Sequence, residues 1–78
     1  MEEKLKELFM TAFNELDETE IEDLAAESNE SWDSWMHLMI ITEIEETFKI
    51  QIIEEKIPEL NTYNKIKEEL KKLLNSNS

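Results

Sequence analysis

Over residues 2–16 the apolar side chains Leu5, Leu8, Phe9, Ala12, Phe13 and Leu16 recur three and four positions apart. At about 3.6 residues per turn that spacing gathers them on one side of a helix. A first amphipathic helix is therefore predicted. Over residues 17–33 the period dissolves among Glu, Asp, Ser and Asn, leaving only Ile21, Leu24, Ala25 and Trp32 as anchors. The stretch reads as a long loop with room for a single helical turn capped by Thr19 and Glu22. A loop of that length in a small domain needs a functional or topological reason.

A second helix is predicted over residues 34–48, with Leu38, Ile40, Ile41, Ile44 and Phe48 on one arc and Glu43, Glu46 and Thr47 opposite. Trp35, Met36 and Met39 break this pattern and fall on the acidic side. Ile50, Ile52 and Ile53 then read as a buried connection, followed by a short helical turn at 54–56 that Pro58 limits. The last helix starts near Thr62, whose hydroxyl suits an N-cap, and carries the stripe Tyr63, Ile66, Leu70, Leu73 and Leu74. The expected fold is all-α, a small four-helix bundle with three main helices, one short helix and a long loop between helices one and two. Residues 1–74 form its single domain, and 75–78 a polar, frayed tail. Leu5, Leu8, Phe13, Leu38, Ile41, Ile44, Phe48, Ile52, Ile66 and Leu70 should converge on one core, with Tyr63 at its edge.

Composition supports helices over strands, since the chain has no glycine, no valine and one proline. At 78 residues it supports one thin core and no cleft between domains. Charge narrows the partners. Twenty acids against eight bases leave a net charge of -12, which repels nucleic acid and anionic membranes and suits a basic protein surface. The same self-repulsion implies stability that rises with salt or divalent cations. Without cysteine the chain has no disulfide, thiolate metal site or thiol nucleophile. No apolar leader or membrane-length apolar run is visible, so a cytoplasmic location and a monomer without a membrane span are expected.

Catalysis by the chain's own groups fits poorly. With one histidine and no glycine there is no phosphate-cradling loop and no metal cluster, and an EF-hand loop would need a glycine at its bend. Asp33, Ser34 and His37 contain the residue types of a triad, but three side chains radiating from one helical turn do not place an imidazole between hydroxyl and carboxylate. His37 falls inside the apolar arc and reads as a partly buried packing residue.

The segment Trp32-Asp33-Ser34-Trp35-Met36-His37-Leu38 carries the sharper signal. It resembles the acyl carrier protein family, whose signature is Asp-Ser-Leu at the start of the second helix, followed by an amphipathic run ending in Glu-Glu and Phe. This chain has Asp33-Ser34-Trp35, then Leu38, Ile40, Ile41 and Ile44, then Glu45-Glu46-Thr47-Phe48. Ile50 and Ile52 match the next apolar positions, and Leu60-Asn61-Thr62-Tyr63 matches the opening of the last helix. The resemblance covers nearly the whole chain. It implies that Ser34 is the point where a phosphopantetheinyl transferase attaches a covalent 4′-phosphopantetheine from coenzyme A, with Asp33 in the attachment motif. The arm's thiol would carry acyl groups as thioesters to enzymes of fatty-acid, polyketide or related biosynthesis. A helix N-terminus tolerates the phosphodiester.

The resemblance also implies docking of basic patches on acyl-transferring, ligating or condensing enzymes by Glu43, Glu45, Glu46, Glu54 and Glu55. Trp35, Met36 and Met39 depart from the family's usual leucine and acids and add apolar contact to that surface. Ser31-Trp32 stands where the family commonly has a glycine before the Asp-Ser pair. Read without the family, Ser34 and Asp33 are N-cap residues and the five acids a solvated face. The alternative function is then an unmodified acidic helical adaptor that binds a basic protein through Trp35, Met36 and Met39.

Overall fold

The computed structural model describes residues 1–76. Helix α1 (Glu2–Ala12) turns Leu5 and Phe9 wholly inward and ends at Phe13, whose φ of -119° and ψ of 67° leave the helical region. The helix is therefore shorter than the apolar spacing over 2–16 suggests. Phe13 still reaches the core from the cap, stacked on Phe9 with ring centroids 6.1 Å apart. Leu16 follows through a turn in which its N–H bonds the Phe13 carbonyl at 3.0 Å.

The segment over 17–33 is more ordered than the long loop expected there. Helix α2 (Glu18–Glu22) starts from a capping box formed by Asp17 and Glu20 rather than by Thr19 and Glu22. The Glu20 N–H donates to Asp17 Oδ1 at 2.9 Å and the Asp17 N–H to Glu20 Oε1 at 3.1 Å; a carboxylate outcompetes a threonine hydroxyl for this role. Ile21, Leu24 and Trp32 are buried. A 3-10 turn at Ala26–Ser28 follows, and an isolated antiparallel bridge pairs Ala25 with Thr62. In it the Ala26 N–H donates to the Asn61 carbonyl at 2.8 Å and the Tyr63 N–H to the Leu24 carbonyl at 3.0 Å.

Helix α3 (Ser34–Phe48) has the predicted bounds and buries Ile40, Ile41 and Ile44. Leu38 does not join them: it is 57% exposed. At about 100° per residue it lies roughly a third of a turn from the centre of the buried arc, so the arc drawn from sequence was too wide. Phe48 is only half-buried. Without a glycine to end the helix, Lys49 takes the left-handed conformation at φ 57°. The Glu45 carboxylate then accepts the Ile52 N–H at 2.8 Å and fixes the chain's exit.

A 3-10 segment spans Glu54–Glu59 and includes Pro58, longer than the turn expected at 54–56. Helix α4 (Tyr63–Ser76) begins as expected at Thr62, whose Oγ1 accepts the Lys65 N–H at 3.0 Å. Of the tail expected over 75–78, Asn75 and Ser76 continue α4, and 77–78 lie outside the described residues. Tyr63 is not at the edge of the core but 1% exposed within it, edge-on to Phe9 at 5.1 Å.

The protein is thus mostly helical, with no strand among the described residues. Its core is Leu5, Phe9, Phe13, Ile21, Leu24, Trp32, Ile40, Ile41, Ile44, Ile52, Leu60, Tyr63, Ile66 and Leu70. Leu8 only packs against it. Each fully buried large side chain contributes about 1.5–3 kcal/mol. Electrostatics opposes this packing over much of the chain, since no lysine or arginine lies between Lys6 and Lys49. Lys6 meets Glu22 at 3.2 Å and joins α1 to α2; that hydrogen bond holds the Lys6 ammonium above its ordinary pKa.

Candidate functional site

The entry to α3 is built by two adjacent residues with separate tasks. Asp33, extended at φ -90° and ψ -175°, is the N-cap; its Oδ1 accepts the Met36 N–H at 2.9 Å and its carbonyl accepts the His37 N–H at 2.9 Å. Ser34, the first helical residue, is exposed. With the capping done by Asp33, the Ser34 hydroxyl makes no hydrogen bond among the described residues. The Ser34 and Trp35 amides, in the first turn, lack the carbonyl partners of interior helical amides.

Beside Ser34 lies a cleft of about 200 Å³ lined by Ala26, Trp32, Asp33, Ser34, His37, Pro58 and Asn61. Trp32 forms its inner wall, 4% exposed, with its ring edge-on to Phe9 at 5.6 Å and tilted against Phe13 at 5.8 Å. The indole N–H donates to His37 Nδ1 at 2.9 Å. Because an indole nitrogen only donates, Nδ1 must be the acceptor, so the ring proton sits on Nε2. Nε2 then donates to the Ile57 carbonyl at 2.6 Å. His37 is half-buried, as its place in the arc suggests, but it is a polar bridge from the loop through α3 to the 3-10 segment. Both ring nitrogens being committed, the imidazole is not placed to take a proton from Ser34.

The outward face of α3 is apolar near Ser34 and acidic further along. Trp35 is 70% exposed and Met39 borders on exposed; Leu38 joins them, since residues three and four apart share a helix face. Met36 departs from the sequence reading by packing against the core. Glu43 and Glu46 are exposed on the same helix, and Glu54 and Glu55 on the 3-10 segment. Glu45 is half-buried and turned to the Ile52 N–H, so its carboxylate serves the chain's own backbone. Met39 and Glu43 also line an open groove of about 570 Å³ between α1 and α3, with Leu8 and Ala12 on the opposite wall.

Sequence reasoning missed the Trp32–His37–Ile57 bridge and the parts of the cleft wall supplied by Pro58 and Asn61. An indole in a polar stretch, five positions before the only histidine, was the available signal. It is not a helical spacing and so carried no period. Among the described residues no group of three or more His, Cys, Asp or Glu is arranged to hold a metal ion, and no helix is long and apolar enough to cross a membrane. Compared with known protein families, curated proteins and solved structures, the chain finds no match.

Proposed function

We propose that the chain is an acyl carrier, a delivery module rather than an enzyme, with the four-helix carrier bundle as its architecture and Ser34 as the attachment point of a 4′-phosphopantetheine. The observation that carries this reading is the division of labour at the start of α3. Asp33 caps the helix, and the neighbouring Ser34 hydroxyl is left exposed beside a cleft, without a hydrogen bond among the described residues. A serine serving only as a cap would be engaged with the backbone.

The residues fit the group. In the attachment step Ser34 Oγ attacks the pantetheine-bearing phosphorus of coenzyme A, the phosphoanhydride bond breaks, and adenosine 3′,5′-bisphosphate leaves. The hydroxyl proton passes to a base of the transferase, because His37 and Asp33 are committed elsewhere. A phosphodiester on Ser34 would lie at the N-terminus of α3, where the helix dipole and the Ser34 and Trp35 amides would favour an anion despite the net charge of -12. When bound, the group supplies a thiol that carries acyl groups as thioesters. Trp35, Leu38 and Met39 supply apolar contact to a partner enzyme, and Glu43, Glu46, Glu54 and Glu55 steer its basic patch.

Intact mass after incubation with coenzyme A, Mg²⁺ and a promiscuous phosphopantetheinyl transferase is the test. The mass should rise by one phosphopantetheine, and the Ser34→Ala chain should not change. An unmodified wild-type chain would favour the second reading, an acidic helical adaptor, for which the exposed Trp35 and Leu38 on an acid-rich helix speak.

A further inference from the structure

We propose that Trp32 and His37 form a plug that keeps cargo out of the core, so that this chain carries short or polar acyl groups rather than long alkyl chains. The inference rests on the carrier reading and names the cargo class of the same site. Its starting point is the cleft beside Ser34. At about 200 Å³ it is a small depression open to solvent, and Trp32 is the one buried residue in its lining.

A longer chain would have to pass its inner wall, and that wall is held from three sides. The Trp32 indole rests on Phe9 and Phe13, its N–H is bound by His37 Nδ1, and His37 is in turn anchored to the Ile57 carbonyl. Loop, α3 and 3-10 segment are therefore joined to one another through Trp32 and His37 at the inner wall of the cleft. Swinging the indole aside would strip its N–H of a partner inside an apolar environment, leave Nδ1 without its donor, and open the contact with both phenylalanine rings. An alkyl chain refused by the core finds only the outward apolar face of α3, which leaves most of its added methylenes in contact with water, where each is unfavourable. A short or polar cargo suffers little from that exposure.

The chain has no cysteine, so Ser34→Cys provides a unique thiol that can be loaded with ethyl, octyl or hexadecyl methanethiosulfonate without any transferase. The test thus stands apart from the question of whether Ser34 is modified. Thermal melting is read for each chain length in Ser34→Cys alone and combined with His37→Ala or with Trp32→Phe, and the Trp32 indole N–H resonance in the two variants that keep Trp32. The Trp32→Phe variant keeps an aromatic ring in the core and protects the test from loss of folding. In Ser34→Cys alone, hexadecyl should melt within a degree or so of ethyl and leave the indole resonance in place. In either combined variant, hexadecyl should melt several degrees above ethyl. A chain-length gain in Ser34→Cys alone would overturn the plug. Absence of a gain in both combined variants would overturn the assignment of that role to Trp32 and His37.

Discussion

Helices α3 and α4 are nearly equal in length, yet they divide their surfaces in opposite ways. Helix α4 buries Tyr63, Ile66 and Leu70 and gives water Lys65, Lys71, Lys72 and Glu68, the ordinary arrangement of a helix that only completes a core. Helix α3 buries Ile40, Ile41 and Ile44 but also exposes Trp35, Leu38 and Met39, and it contains no lysine or arginine. One helix has a single apolar face and the other has two. The second apolar face of α3 begins next to Ser34, which is where a partner would have to come to act on the serine or on anything it carries.

The largest effects should appear when the inward faces are cut. Ile44→Ala and Leu70→Ala should each cost about 2–5 kcal/mol in chemical denaturation, a large share of the stability of so small a domain. Trp35→Ala and Leu38→Ala should stay within about 0.5 kcal/mol of wild type. A Trp35→Ala chain as unstable as Ile44→Ala would erase the distinction between the two faces of α3.

Partner binding should reverse that order. On the carrier reading proposed above, titration against an acyl-transferring or condensing enzyme should show Trp35→Ala losing about 2 kcal/mol of affinity, the size of an interface anchor. Met39→Glu should weaken binding less, and Lys71→Glu on α4 should leave it unchanged. Equal losses from α3 and α4 variants would show that the two-faced character of α3 has no role in docking. Met36 is a poor probe, because its packing against the core makes Met36→Glu a stability variant.

Smaller still are the caps. Asp33→Ala and Thr62→Ala each remove one side-chain acceptor from a helix start, and each should cost about 1 kcal/mol, read as matched shifts in denaturation midpoint. Tyr63→Phe should cost nothing or stabilise slightly, since its buried hydroxyl has no hydrogen-bond partner among the described residues. Burial pushes the Tyr63 phenol above its usual value of 10.0. Below about pH 10 both folded and unfolded phenols are protonated and the difference has no effect. Above it the unfolded chain loses its proton first, so stability falls as pH climbs toward the folded value. Tyr63→Phe should therefore melt higher than wild type by a margin that widens in alkali; a constant margin would place the tyrosine in a wetter site.

Helix α4 was legible because its spacing is regular and Thr62 marks its start. The bounds of α3 were legible for a similar reason: Asp33 is a strong cap and the apolar run ends near Phe48. Its faces were not, because Leu38 sits at the border of the arc and periodicity assigns borders poorly. The region before α3 was read as loose because its order comes from isolated anchors and backbone pairing, and neither leaves a period. The Asp33-Ser34 pair stood out through its surroundings, whereas the Trp32–His37–Ile57 bridge depends on three elements meeting in space.

The bridge between Ala25 and Thr62 bears on how the molecule opens. Its two donors, the amides of Ala26 and Tyr63, lie far apart in sequence, so forming it requires closing a large loop and suffers the corresponding entropy loss. Releasing either amide means lifting the 3-10 turn away from the start of α4. Those two protons should exchange with solvent at rates near those of the slowest core amides, and such rates would join the acid-rich connection between α1 and α3 to the last unit to unfold.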